Sequence, residues 1–251
     1  MKAIQLTKYG SSKDSFLSKN VPLPILVNKD DVLIKVHAFG INFADIMARK
    51  GLYKASPALP AVLGYEVVGI VEKTKNPQYK NLIGKRVLAL TRFGGYAEYA
   101  ISSISALIEI PKTLKNGIAL ALATQYCTAL LAVKKTSLQK DDLVLIHSAS
   151  GGVGTALTQL VKQKGCKIIG LTRSESKIPS LNHHSCTYAG EFEVSTNPTV
   201  SPWYLKFAIL RLNAFAFAVA SEDAENGPYL ASAGFVVCAN ILSLKFIAIL
   251  C

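Results

Sequence analysis

The sequence predicts a two-part α/β chain: a β-rich first part, then a doubly wound second part with a parallel sheet. Three observations carry that expectation. Residues 141–177 (DDLVLIHSASGGVGTALTQLVKQKGCKIIGLTRSESK) read as strand, glycine turn, helix and strand. Residues 1–101 hold several short strand-like runs separated by glycine turns, before any long helix. Half of the 251 residues are apolar and only 18% are charged, which suits many buried strands.

Taken in order, residues 1–6 read as a strand, and Pro22 and Pro24 interrupt the chain soon after it. Residues 31–38 (DVLIKVHA) alternate apolar and polar side chains, the pattern of a half-buried strand. Residues 40–49 (GINFADIMAR) read as a turn into a short helix, and residues 51–63 as an irregular proline-bearing loop. Residues 64–72 (GYEVVGIVE) form another strand, whose internal Gly69 predicts a bulge or a close backbone approach. Strands at 85–91 and 96–101 flank a turn at Gly94 and Gly95. Residues 117–133 (GIALALATQYCTALLAV) then predict one long helix, so domains are expected over 1–115 and 116–251.

In the second part, residues 143–147 are an apolar strand and residues 148–154 a small-residue turn. Residues 155–163 place Ala156, Leu157, Leu160 and Val161 on one helix face, and residues 167–171 are a second buried strand. Ser150, Gly151, Gly152, Val153 and Gly154 are the candidate cofactor-binding residues. Glycines there give a tight turn, let the backbone approach a pyrophosphate and permit close helix–strand packing. The helix N-terminus supplies N–H groups to the phosphates.

Charge and cysteine usage exclude several classes. The net charge of +12 is uneven: residues 1–177 carry 25 Lys and Arg against 11 Asp and Glu, and the rest carry 3 against 5. No basic run exceeds two residues and no aromatic-interleaved basic stripe occurs, so attraction of a phosphate-rich cofactor is expected and nucleic-acid binding is not. Cys127, Cys166, Cys186, Cys238 and Cys251 form no C-x-x-C pair, which argues against a zinc cluster or a disulfide framework and suits a reducing cytosol. The first residues contain no signal-peptide apolar region, and a cytoplasmic location is expected.

The order of β-rich part, long helix and glycine-rich βαβ unit resembles the medium-chain dehydrogenase/reductase superfamily. GINFADIMARKGLY, LPAVLGYEVVGIVE, GGYAEYA and HSASGGVGTALTQLVK are similar to its quinone-oxidoreductase (zeta-crystallin-like) branch, near the vesicle-amine-transport-like group. The resemblance covers roughly residues 1–177. It implies a GroES-like β-rich domain followed by a Rossmann domain, an incomplete one here, and a homodimer. It also implies NADPH as cofactor and a small-molecule quinone or enone substrate. Zinc-dependent members place a Cys near the GINFAD position and a Gly-His-Glu soon after; here Asn42-Phe43 and Gly64-Tyr65-Glu66 stand there, so no metal is expected.

By the same resemblance, Asn42, Asp45 and Tyr53 lie at the substrate cleft. Asn42 and Tyr53 are candidate donors to a quinone or enone oxygen, against the plainer readings of turn chemistry and core packing. Asp45 also fits a first-turn acid favoured by the helix dipole, and Glu66 reads as an acid paired with a lysine. At the end of the second βαβ strand, Arg173, Ser174 and Lys177 can hold a 2′-phosphate, with Glu175 as a solvated first-turn acid and Tyr188 as a further implied contact. His147 reads as a structural strand-end residue.

After Lys177 the resemblance fades. Residues 206–220 and 234–240 are expected to be altered versions of later family strands, in a part that is truncated or divergent. Residues 229–251 are long and apolar enough to span a membrane, but Asn240 and Lys245 fall inside and buried strands read equally apolar, so no span is expected. Two functional classes stay open: a zinc-free NADPH-dependent reductase, and a cofactor-binding protein on the same fold with little or no turnover.

Overall fold

The computed structural model describes residues 1–183, 186, 188–191, 236–241 and 244–249, with side chains over 1–181 and at 186. Two compact units divide between Thr124 and Gln125. The first opens with β1 (Lys2–Leu6), α1 (Ser12–Ser15) and β2 (Phe16–Asn20), and continues through β3 (Asp31–Phe39), α2 (Phe43–Arg49), β4 (Ala61–Val62) and β5 (Glu66–Thr74). It closes with β6 (Arg86–Leu90), β7 (Tyr99–Ser103), β8 (Leu107–Glu109) and α3 (Asn116–Leu122). A three-stranded sheet runs β2-β1-β4, and a five-stranded antiparallel sheet runs β7-β3-β5-β6-β8.

Alternation in these strands fills one core with Val32, Ile34, Val67, Val71, Val87, Ala89 and Ala100. Each fully buried aliphatic side chain there is worth about 1.5–3 kcal/mol relative to leaving it in water. Gly69 marks a close approach: a Cβ there would stand 2.1 Å from the Lys35 carbonyl oxygen. The β3–β5 ladder also shifts register at Leu33/Ile34 and Val36/Ala38, so the strand is both tightly approached and irregular.

The single helix expected over 117–133 is two helices, α3 and α4 (Thr124–Lys135), separated at Ala123 with φ −71° and ψ −104°. Neither Gly nor Pro causes the break. Ala119 and Ala123 are claimed by a core with Val68, Leu88 and Ile110. Ala129, Ala132 and Val133 are claimed by a different core. By length and composition alone, residues 116–135 could cross a bilayer, but their buried alanines serve these two cores.

The second unit continues from α4 with β9 (Leu143–Ile146), α5 (Gly152–Gln163), β10 (Lys167–Thr172), a short 3₁₀ turn (Glu175–Lys177), α6 (Ile178–His183), β11 (Tyr188–Glu191), β12 (Val236–Ile241) and β13 (Leu244–Ile249). Its sheet runs β11-β10-β9-β13-β12, parallel except that β12 pairs antiparallel with β13. Ala156, Leu157 and Val161 of α5 pack against Val144, Ile146 and Ile168, all fully buried, with Leu160 partly buried beside them. Residues 206–220 lie outside the described residues, and β12 falls on the expected 234–240 strand. Within the stretch 229–251, the described residues Val236–Ile241 and Leu244–Ile249 form two paired strands.

The turn from β9 into α5 is built differently from the expectation at one point. The left-handed residue is Ser148, with φ 55°, rather than a glycine. Gly151 is the N-cap in ordinary extended backbone. Gly154 is where a side chain is forbidden: a Cβ would lie 2.2 Å from the Ser148 carbonyl oxygen and 2.7 Å from Ala149 Cα, both backbone atoms. At Gly152 a Cβ would meet only the far end of the Gln125 side chain, at 2.5 Å, and that end can swing away. Gly154→Ala is therefore expected to destabilise the protein by roughly 1–3 kcal/mol or more, while Gly152→Ala folds nearly as well as the parent. Thermal melts of both variants check this; equal melting temperatures would contradict the packing argument.

Candidate functional site

Strand–turn–helix geometry in the second unit sets out a candidate cofactor-binding locality. The backbone N–H of Ala149 donates to the Leu171 carbonyl oxygen at 2.8 Å, and Gly151 N–H donates to Ser148 O at 2.9 Å. Thr155 N–H donates to Gly151 O, which starts the α5 ladder. Among the described residues no side chain caps α5, which leaves the first-turn N–H groups of Gly152, Val153 and Gly154 open to an acceptor. Those N–H groups carry the positive end of the helix dipole. Gly151 and Gly152 are exposed and Val153 is half-buried, so an anion can reach them. The turn fits the phosphates of a dinucleotide, because Gly154 lets the helix start within contact of the strand end.

The end of β10 is tied to this turn. Ser150 Oγ and Thr172 Oγ1 lie 2.8 Å apart, one hydroxyl donating to the other. Beyond Thr172, Arg173 is exposed and Ser174 half-buried, with its Oγ 2.7 Å from Ser176 Oγ. Lys177 is exposed at the end of the 3₁₀ turn, and Glu175 begins that turn, open to solvent. His147 is half-buried with Nδ1 3.2 Å from Ser148 Oγ. Burial lowers its pKa, and the nearby Arg173 guanidinium lowers it further. The parallel pairing sets the Tyr188 backbone level with Ile169, in the middle of β10 rather than at its end; the Tyr188 side chain lies outside the described residues.

The first unit holds a separate candidate locality at the start of α2. Asn42 is the N-cap and Asp45 the N3 residue of a capping box. Asp45 is 3% exposed, and its carboxylate accepts the Asn42 N–H at 2.8 Å and the Gly64 N–H at 3.3 Å. Burial pushes the Asp45 carboxyl above the ordinary range, with those N–H groups opposing. The Asn42 amide nitrogen donates to both oxygens of Glu66, at 2.8 and 2.9 Å. Thr124 Oγ1 also donates to Glu66 Oε2. Glu66 is 2% exposed and, among the described residues, pairs with no cation; the expected lysine partner is replaced by these two neutral donors. Burial raises the Glu66 pKa first of all, and the Asp45 charge adds to it.

Aromatic rings close this region. Tyr53 is half-buried and meets Tyr65 edge-on, with centroids 6.3 Å apart. Tyr65 packs against Phe93 at 5.2 Å, and Tyr96 against Phe39 at 4.6 Å. Burial raises the pKa of all three tyrosines, so their hydroxyls stay protonated as donors. The buried Tyr65 hydroxyl faces that of Tyr53, and the buried Tyr96 hydroxyl faces the Asp45 carboxylate. Arg92 stands in the left-handed region with φ 60°, close enough to lower the phenol pKa values of Tyr53 and Tyr65.

Asn42, Asp45 and Tyr53 thus share one locality, as do Ser150–Gly154 and Arg173–Lys177 in the other unit. Thr124, Tyr96, Arg92 and Ser148 escaped the sequence reading. Among the described residues, no group of three or more His, Cys, Asp or Glu side chains is placed to hold a metal ion.

Residues 28–112 match the family model of the alcohol dehydrogenase GroES-like domain. Quinone oxidoreductase from Sus scrofa is 37% identical over 177 residues, 70% of this chain and 54% of that protein. The synaptic vesicle membrane protein VAT-1 homolog of Danio rerio is 32% identical over 188 residues, 74% of this chain and 39% of that one. Among solved structures, the quinone oxidoreductase from Thermus thermophilus, also described in its complex with NADPH, is 29% identical with a TM-score of 0.66, over 76% of this chain and 60% of that chain. The chain spans about half the length of the quinone oxidoreductases it matches. The GroES-like domain, these relatives and this fold together support the quinone-oxidoreductase branch of the medium-chain dehydrogenase/reductase superfamily as the family of this chain.

Proposed function

We propose that this chain binds NADPH and reduces quinones or α,β-unsaturated carbonyls by hydride transfer without zinc. The observation that carries the reading is the Ser150–Thr172 hydrogen bond, which joins the glycine turn to the strand end bearing Arg173 and Ser174. Bound NADPH would supply the hydride. The N–H groups of Gly152, Val153 and Gly154 would hold its pyrophosphate, and Arg173, Ser174 and Lys177 its 2′-phosphate. Tyr53, kept protonated by burial, is the candidate donor to the carbonyl oxygen that gains charge. Asn42 is less suited to that task, because its amide nitrogen already serves Glu66. That same commitment favours a second reading, nucleotide binding without turnover.

Zinc independence is supported by the side chains at the two positions where zinc-dependent relatives carry ligands. Asn42 serves as a helix cap, and the Tyr65 ring is packed between Tyr53 and Phe93. The proposal has three measurable outcomes. Fluorescence titration is expected to give at least about tenfold tighter binding of NADPH than NADH, a difference of about 1.4 kcal/mol. Arg173→Ala combined with Lys177→Ala should abolish that preference; equal affinities in the parent would refute the phosphate site. Tyr53→Phe is expected to lower kcat/KM for a quinone by about tenfold or more, and unchanged kinetics would remove Tyr53 from the mechanism. Metal analysis of active, purified protein should find far less than one zinc per chain, whereas stoichiometric zinc would overturn the metal-free reading.

A further inference from the structure

Glu66 is an acid in a place that does not need one for packing. Its carboxylate is buried, faces two neutral donors, and has another acid, Asp45, as a charged neighbour. Burying a carboxylate without a cation is unfavourable, and a glutamine of the same shape would avoid that penalty. The backbone is nonetheless shaped around it. At Gly40 a Cβ would come 1.8 Å from Glu66 Oε1, so only glycine leaves room for the carboxylate in its observed seat.

A carboxylate differs from an amide in one respect that matters here. Both of its oxygens accept, and neither donates. Facing Glu66, the Asn42 amide must turn its nitrogen inward, and the Thr124 hydroxyl must point its hydrogen inward. A glutamine would present a donor and an acceptor, and either neighbour could then reverse.

We propose that Glu66 is a positioning residue, kept as an acid at a loss of stability, that fixes the orientation of the Asn42 amide and the Thr124 hydroxyl beside the substrate region. The substrate region is that of the reductase reading above, on which the kinetic part of this proposal rests. The groups facing Glu66 are Asn42 and Asp45 on the α2 start, Tyr96 on the loop before β7, and Thr124 at the start of α4. Burial and the Asp45 charge both disfavour a negative charge on Glu66, and the Glu66 charge in turn helps keep the Tyr96 phenol protonated.

Two variants of the full chain test this. Glu66→Gln removes the charge and keeps the shape. Gly40→Ala keeps the acid but pushes the carboxylate from its seat, at a backbone conformation open to alanine. Because the Glu66 pKa is raised in the fold, its stabilising share is full below the ordinary value of 4.5 and is lost as pH rises through the folded value. Glu66→Gln is therefore expected to melt higher than the parent, with the gap opening as pH rises above that ordinary value. In ¹⁵N-edited NMR spectra, the Asn42 side-chain amide protons should exchange slowly and titrate with pH in the parent, and both features should vanish in both variants. With NADPH and a quinone, kcat should fall by at least about tenfold in both variants, while NADPH affinity stays within about twofold. A Glu66→Gln protein that melts lower than the parent at neutral pH, keeps the Asn42 signature or keeps full kcat would overturn the proposal. A parent that reduces no quinone would defeat the reductase reading instead, and the melting and NMR results would still decide the role of Glu66.

Discussion

The approach of α5 to the end of β9 is the constraint on which the second unit depends. With the Ser148 carbonyl and Ala149 Cα occupying the space a Gly154 side chain would need, the helix can start only where no side chain intervenes. That closeness brings the uncapped first-turn N–H groups to the strand end, where the sheet also delivers Thr172 and Arg173. The Ala149–Leu171 and Ser150–Thr172 bonds then lock the turn to the neighbouring strand. One glycine contact thereby sets the position of a dipole, two hydroxyls and a cation relative to one another.

The first unit is organised around a different problem, two buried acids that meet no cation among the described residues. Asp45 solves it with backbone N–H groups, and in doing so joins α2 to the Gly64 turn. Glu66 solves it with Asn42 and Thr124, which lie 24 and 58 residues away in sequence. Asn42 serves both acids, its backbone one and its side chain the other. The helix start, the Gly64 turn and β5 are therefore one hydrogen-bonded assembly, and the tyrosines around it are protonated donors held by burial.

Much of this was legible in the sequence, for reasons that can be named. Alternation in residues 31–38 and the apolar run at 143–147 report burial directly, so β3 and β9 were visible. Gly69 and Gly154 were visible because a missing side chain leaves a trace in the sequence. What was hidden depends on contacts distant in the chain. The break at Ala123 has no glycine or proline to announce it, and results from two cores competing for one apolar stretch. β2 has one half-buried residue followed by four exposed ones, so it shows no alternation. Ser148 and Arg92 take left-handed backbone without being glycine, asparagine or aspartate. The donors to Glu66 could not be read locally, and a lysine was the natural but mistaken expectation.

The central claim is that a bound reduced dinucleotide passes hydride directly to an electron-poor carbon of the substrate. The most direct measurement uses NADPH deuterated at C4 of the nicotinamide, an α,β-unsaturated ketone and the full chain, with the product read by NMR. The account predicts deuterium at the β-carbon from one face of the nicotinamide, and a solvent proton at the α-carbon. Product without deuterium at the β-carbon, or no product while NADPH is firmly bound, would contradict it.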